Sequence, residues 1–122
     1  MPHVKPGASI VNTTSVQAKI GTKSMLIYSA TKGAIASFTV ALSNLLAPQG
    51  IWMNCVAPGP IWTPIQPIAK DPEEIEQLGL GMPLGRAGQP AELAGAFVLL
   101  ASDAGSYMSG ALIPVTGGMS ML

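Results

Sequence analysis

The 122 residues are enough for one small domain or for part of a larger one. Six Lys+Arg balance six Asp+Glu, so no net charge draws the chain to nucleic acid, and the lone Cys55 excludes an internal disulfide. Only 10% of residues are charged, against roughly 25% in average soluble domains; 48% are hydrophobic, and none between Gly33 and Ala69 is charged. That leaves a membrane segment or a domain whose faces are covered by other polypeptide. The best membrane candidate, GAIASFTVALSNLLA, is 15 residues long and holds Ser, Thr and Asn, short of the roughly 20 apolar residues a span needs. Met1 opens into PHVKPGAS with no apolar signal region. The expectation is a soluble, cytoplasmic, oligomeric protein with no membrane or nucleic-acid partner.

In chain order, ASIVNT (8–13) follows a KPG turn and reads as a strand. Residues 25–47 are helical, with Ile35, Phe38, Leu42 and Leu45 or Leu46 at three- and four-residue steps, and PQG ends the helix. IWMNCVA (51–57) is an apolar run suited to a buried strand, stopped by Pro58-Gly59-Pro60. In KDPEEIEQL, Asp71 is placed to cap a helix, with Pro72 at its first position and Glu73 and Glu74 at its positive end. A Gly/Pro-rich connector precedes a helix over 91–101, and ALIPV (111–115) is a last strand before TGG. Strands alternating with helices argue for a parallel α/β sheet.

YSATK (28–32) places a tyrosine and a lysine on one helix face, four residues apart. Such a pair is most often two solvated side chains, and the spacing alone is a weak signal. Chemically it offers more, because an ammonium beside a phenol favours the phenolate. Ser15 lies just past the first strand, and NCVAPGPIWT runs off the C-terminal end of the second. In parallel α/β proteins that edge is where ligands bind.

With these segments the chain resembles the second half of a short-chain dehydrogenase/reductase. IVNTTS, YSATKGAIASFTVALSNLLAPQGI, NCVAPGPIWTP, PLGRAGQPAELAGAFVLLASD, SYMSG and VTGG occur in the family's order. The resemblance implies a three-layer αβα fold, the last three strands of a Rossmann-like doubly wound parallel sheet with flanking helices. It implies hydride transfer between NAD or NADP and a carbonyl or alcohol substrate. Tyr28 would be the general acid/base, Lys32 would favour its ionised form and bond the nicotinamide ribose, and Ser15 would orient the substrate oxygen. Pro58 and Gly59, the Ile61 backbone and the Thr63 hydroxyl would line the cofactor, and Thr14, Gln17 and Trp62 would join Ser15 in the substrate pocket. Residues 61–88 resemble the segment that covers substrate. Helix 25–47 and the last strand would mediate homo-oligomerisation.

The family's Gly-rich strand–turn–helix has no counterpart here: GLGMPLG follows a helix and precedes a loop. The asparagine of the family's catalytic tetrad and the residue that selects NAD or NADP are also unmatched. The expectation is therefore the C-terminal part of a single NAD(P)-binding domain, weak or inactive alone. The rival is a non-catalytic remnant that only binds or oligomerises, with its first strand exposing an unpaired edge. The remaining residues invite plainer roles. His3 lies at a frayed terminus, Cys55 is a small buried hydrophobe, Trp52 packs, and Tyr107 is structural. Asn54 ties down the turn after its own strand, and Arg86 sits in a mobile connector. One histidine and one cysteine point to no metal site.

Overall fold

The computed structural model describes residues 3–121. Strand β1 is Ser9–Thr13, followed by a single turn α1 (Gln17–Ile20) and the long helix α2 (Leu26–Leu46). Strand β2 (Trp52–Pro58) leads into two short helices, α3 (Ile65–Ala69) and α4 (Pro72–Glu76), then α5 (Ala94–Ala101) and β3 (Leu112–Val115). The three strands form one open parallel sheet in the order β1-β2-β3, with Ser9 opposite Trp52 and Cys55 opposite Leu112.

Side chains alternate between the faces of a strand, and β1 shows which helix covers which face. Ser9 donates to the Leu100 carbonyl of α5 at 2.6 Å, while Asn12 donates to Thr39 of α2 at 3.0 Å. Positions of opposite parity thus reach opposite helices, which makes three layers, αβα. The middle strand is buried from Met53 to Ala57. A strand covered on both faces has no solvent side to mark with polar residues, hence its continuous apolar reading.

Helix α2 departs from the face that its large apolar residues suggest. Phe38 and Leu45 are exposed, and the fully buried positions are Thr39, Ser43 and Leu46. Small hydroxyl side chains let the helix lie close to the sheet, and each hydroxyl is satisfied on its own helix: Thr39 on Ile35 O and Ser43 on Val40 O, both at 2.8 Å. The helix ends through a 3-10 turn, Ala47–Gln49, into Gly50 at φ +67°, a left-handed conformation that glycine adopts without strain.

Four details differ from the sequence reading. Asp71 takes the backbone position of a cap, but its side chain makes no capping bond and α4 runs only five residues. Helix α3 contains Pro67, tolerated because the first turn has no intrahelical use for its N–H groups. The helix expected over 91–101 begins as a 3-10 turn at Pro90–Leu93 before α5. Asn54, fully buried, bonds neither its own turn nor its own strand end: it donates to Met108 O at 2.6 Å and accepts from Ala111 N at 2.9 Å. It anchors the approach to β3, more than fifty residues on.

Trp52 reaches the same region, its indole N–H donating to Ser106 O at 2.7 Å. Cys55 is buried and free, its thiol pushed up by burial with Thr39 beside it pulling partly the other way. Tyr107 is fully exposed. No helix among the described residues is long and apolar enough to cross a membrane. Asn54→Ala strands two part-buried backbone groups and is expected to cost about 2–4 kcal/mol of stability, read by urea unfolding.

Candidate active site

Beyond Thr13 the chain keeps its pairing with β2 for three more residues. Thr14 N donates to Val56 O at 2.9 Å and Val16 N to Pro58 O at 3.0 Å. Thr14, Ser15 and Val16 are buried by this pairing and by α1. The Ser15 hydroxyl accepts the Gln17 backbone N–H at 3.2 Å, which leaves its proton to donate elsewhere. The Gln17 side-chain oxygen is buried with no hydrogen-bond partner among the described residues.

The first two turns of α2 carry Tyr28 and Lys32. Tyr28 is 44% exposed, and the Lys32 ammonium stands over its ring, 5.6 Å from the centroid, within the range of cation–π attraction. Lys32 is held at both ends. Its Nζ donates to Thr13 O at 3.2 Å, and its backbone carbonyl accepts the Thr14 hydroxyl at 2.6 Å. An ammonium has three N–H donors, so two are left for other groups. The exit of β1, with Ser15, and the Tyr28/Lys32 face of α2 are thereby joined directly.

Where β2 ends, Pro58 and Gly59 pass close to β3. A side chain at Gly59 would put its Cβ 2.9 Å from Thr116 Cα, nearer than real contacts allow. Ile61 then pairs with Gly88: Trp62 N donates to Gly88 O at 2.8 Å and Gly88 N to Pro60 O at 2.9 Å. These bonds close the neck of the 61–88 segment. Gly79 packs its backbone directly on Ala87, with φ +81°. Gln66 binds the start of the segment twice, to Ile61 O and Thr63 O, each at 3.0 Å. Ile61 is buried and Trp62 is 49% exposed. Among the described residues neither they nor Thr63 share a hydrogen bond with Tyr28 or Lys32.

A cleft of about 180 Å3 opens beside this neck, bounded by Pro60, Ile61, Leu84, Arg86, Glu92 and Thr116. Arg86 is not loose in its connector. It forks onto Glu92 at 2.8 and 2.7 Å, and Glu92 also accepts the Gln89 backbone N–H at 2.8 Å. The Arg86 bond, then that from Gln89, hold the Glu92 carboxyl down to about 2. Sequence reading missed this pair and the Gln17 orphan, because six-residue spacing across a turn and an unpaired buried atom have no local pattern.

A sequence model of the enoyl-(acyl carrier protein) reductase family matches residues 1–120. The chain is 53% identical over 118 residues to the uncharacterised oxidoreductase YhdF of Bacillus subtilis, covering 97% of this chain and 41% of that protein. It is 55% identical over 113 residues to a glucose and ribitol dehydrogenase homolog of Oryza sativa, covering 93% and 38%. The crystal structure of a 3-oxoacyl-[acyl-carrier protein] reductase with bound NAD from Brucella melitensis superposes with a TM-score of 0.81 at 38% identity, over 93% of this chain and 41% of that one. The chain belongs to the short-chain dehydrogenase/reductase family of oxidoreductases. It spans about two fifths of the length of the relatives it matches.

Glu92 ionises more readily folded than unfolded, since its ordinary value lies near 4.5. Its stabilising effect is therefore complete above pH 4.5 and lost as pH falls towards 2. The pair is about half exposed, so salt weakens it. Glu92→Gln is expected to flatten the acid limb of thermal stability at low salt and to change little at 1 M salt.

Proposed function

We propose that this chain carries the proton-transfer half of an NAD(P)-dependent carbonyl/alcohol oxidoreductase site, within the C-terminal part of one NAD(P)-binding domain. The observation that supports this reading is the bonding of Lys32, with Tyr28 beside it, to Thr13 and Thr14 at the C-terminal edge of a parallel sheet, one residue before Ser15. The Ser15 hydroxyl, already accepting from Gln17 N, donates to the substrate oxygen and orients it. Tyr28, open to solvent on one side, gives its proton to that oxygen in reduction and takes it back in oxidation. Lys32 keeps a cation beside the phenol through both directions. As charge grows on the substrate oxygen, the serine and tyrosine hydroxyls stabilise it together.

The residues present suit the nicotinamide end of a dinucleotide. Two ammonium N–H groups of Lys32 suit ribose hydroxyls, and Pro58, Gly59, the Ile61 backbone and the Thr63 hydroxyl supply a close wall and polar groups. When bound, the nicotinamide supplies or takes up the hydride. The described residues offer no glycine-rich strand–turn–helix for a pyrophosphate, which is why the 122 residues alone are expected to turn over weakly. Names of relatives mention both nucleotides: bound NAD in the Brucella reductase and NADPH in an Arabidopsis thaliana aldehyde reductase 49% identical over 119 residues. In the substrate pocket we place Ser15, Gln17 and Trp62, under residues 61–88 as a cover hinged at its closed neck. The buried, unpartnered Gln17 oxygen suits a substrate hydroxyl.

Tyr28→Phe tests the reading. In protein that carries this chain and reduces carbonyl compounds with NADH or NADPH, turnover is expected to fall about 100-fold or more, with the melting temperature nearly unchanged. A loss under threefold would sink the proposal.

A second reading, compatible with the first, is self-association. Ile27, Phe38, Val40 and Leu45 of α2 are 83%, 57%, 48% and 65% exposed. The last strand is the less suited edge, since Pro114 is exposed there and lacks an N–H. Light scattering should show a dimer or larger species that Phe38→Lys with Leu45→Glu reduces to monomer.

A further inference from the structure

Thr14 and Lys32 exchange roles across the gap between strand and helix. The Thr14 hydroxyl donates to the Lys32 backbone carbonyl at 2.6 Å, and the Lys32 ammonium donates back to the carbonyl of Thr13 at 3.2 Å. Thr14 is 2% exposed, so its hydroxyl sits away from water, committed to the helix. Two residues earlier on the same strand face, Asn12 donates to Thr39 at 3.0 Å. Lys32 and Thr39 are seven residues apart, about two helical turns. One strand face therefore grips α2 at two points. A single grip leaves a helix free to rotate about it, and two grips remove that freedom.

We infer that Thr14 is a positioning residue, not a wall of the substrate pocket: its hydroxyl sets where the Lys32 ammonium and the Tyr28 ring stand relative to Ser15. The inference rests on the proton-transfer reading of those residues. Ser15 follows Thr14 directly, so the bond that holds Lys32 is one residue from the group that orients substrate. Without the hydroxyl, the Lys32 carbonyl loses its strand partner. The ammonium loses the fixed backbone that aims it at Thr13 O, and it drifts from the ring. A displacement of about 1 Å at a reacting group costs up to roughly a hundredfold in rate.

Thr14→Val keeps the shape and removes the hydroxyl, whereas Thr14→Ser keeps the hydroxyl. The primary readout is an NMR cross-relaxation contact between the Lys32 ε-methylene and the Tyr28 ring. The chain has only two tyrosines, so Tyr107→Phe assigns that ring. The contact is expected in the parent and in Thr14→Ser and should weaken at least threefold in Thr14→Val. An undiminished contact in Thr14→Val, or equal loss in Thr14→Ser, overturns the inference. Should Thr14→Val fail to fold, the Thr14 hydroxyl proton of the parent decides: slow exchange with water supports the bond, and rapid exchange overturns it.

In protein that turns over, Thr14→Val should lower kcat about ten- to hundredfold with KM within threefold, and Thr14→Ser should restore it. A raised KM with unchanged kcat would instead make Thr14 a substrate contact and overturn the assignment. Absence of turnover in the longer protein that carries this chain defeats the functional reading, while the NMR result still decides the clasp.

Discussion

Helix α2 is seated by buried hydrogen bonds, and most of the candidate site hangs from that seat. Asn12 meets Thr39 and Thr14 meets the Lys32 carbonyl, all from one face of β1 and its continuation. Buried polar groups left unpaired are costly, so sliding or turning α2 would orphan several at once. Apolar contacts alone tolerate small slips, because burial is roughly proportional to area and carries little direction. The Asn12–Thr39 bond makes the seat directional, and the small buried side chains of Thr39 and Ser43 make it close.

The second constraint is the parallel sheet itself. All three strands end at one edge, so the exits of β1, β2 and β3 converge there: Ser15 from the first, Pro58–Gly59 from the second, Thr116 from the third. Glycine at position 59 lets two of these exits touch. From that edge the 61–88 segment departs and returns, and the Ile61–Gly88 pairing closes it at the base. The rest of the segment lies beyond this neck. Helices α3 and α4 lie there, with Ile65 and Ile68 exposed.

The scarcity of charge has two separate causes in the structure. In β2 it reflects burial on both faces, from Met53 through Ala57. In α2 it reflects an outer surface of exposed Ile27, Phe38 and Leu45 that water alone covers poorly. Composition cannot separate these cases, since a buried strand and an uncovered helix face lower the charge fraction alike.

Local chemistry determined much by itself. The apolar run of β2, the Pro48–Gly50 stop, the strand–helix alternation, the place of Ser15 just past a strand and the shared helix face of Tyr28 and Lys32 depend on neighbours in the chain, so the residues announce them. Short turns such as α1 and α3 escaped because four or five residues carry no readable period. The tertiary structure alone decided which face of α2 is buried, since large apolar side chains mark either a core or an outer surface. It alone turned Asn54 towards β3, Arg86 onto Glu92 and Thr14 onto Lys32. Those pairings join positions that only the folded sheet brings within hydrogen-bond reach, and no spacing in the chain encodes such a meeting.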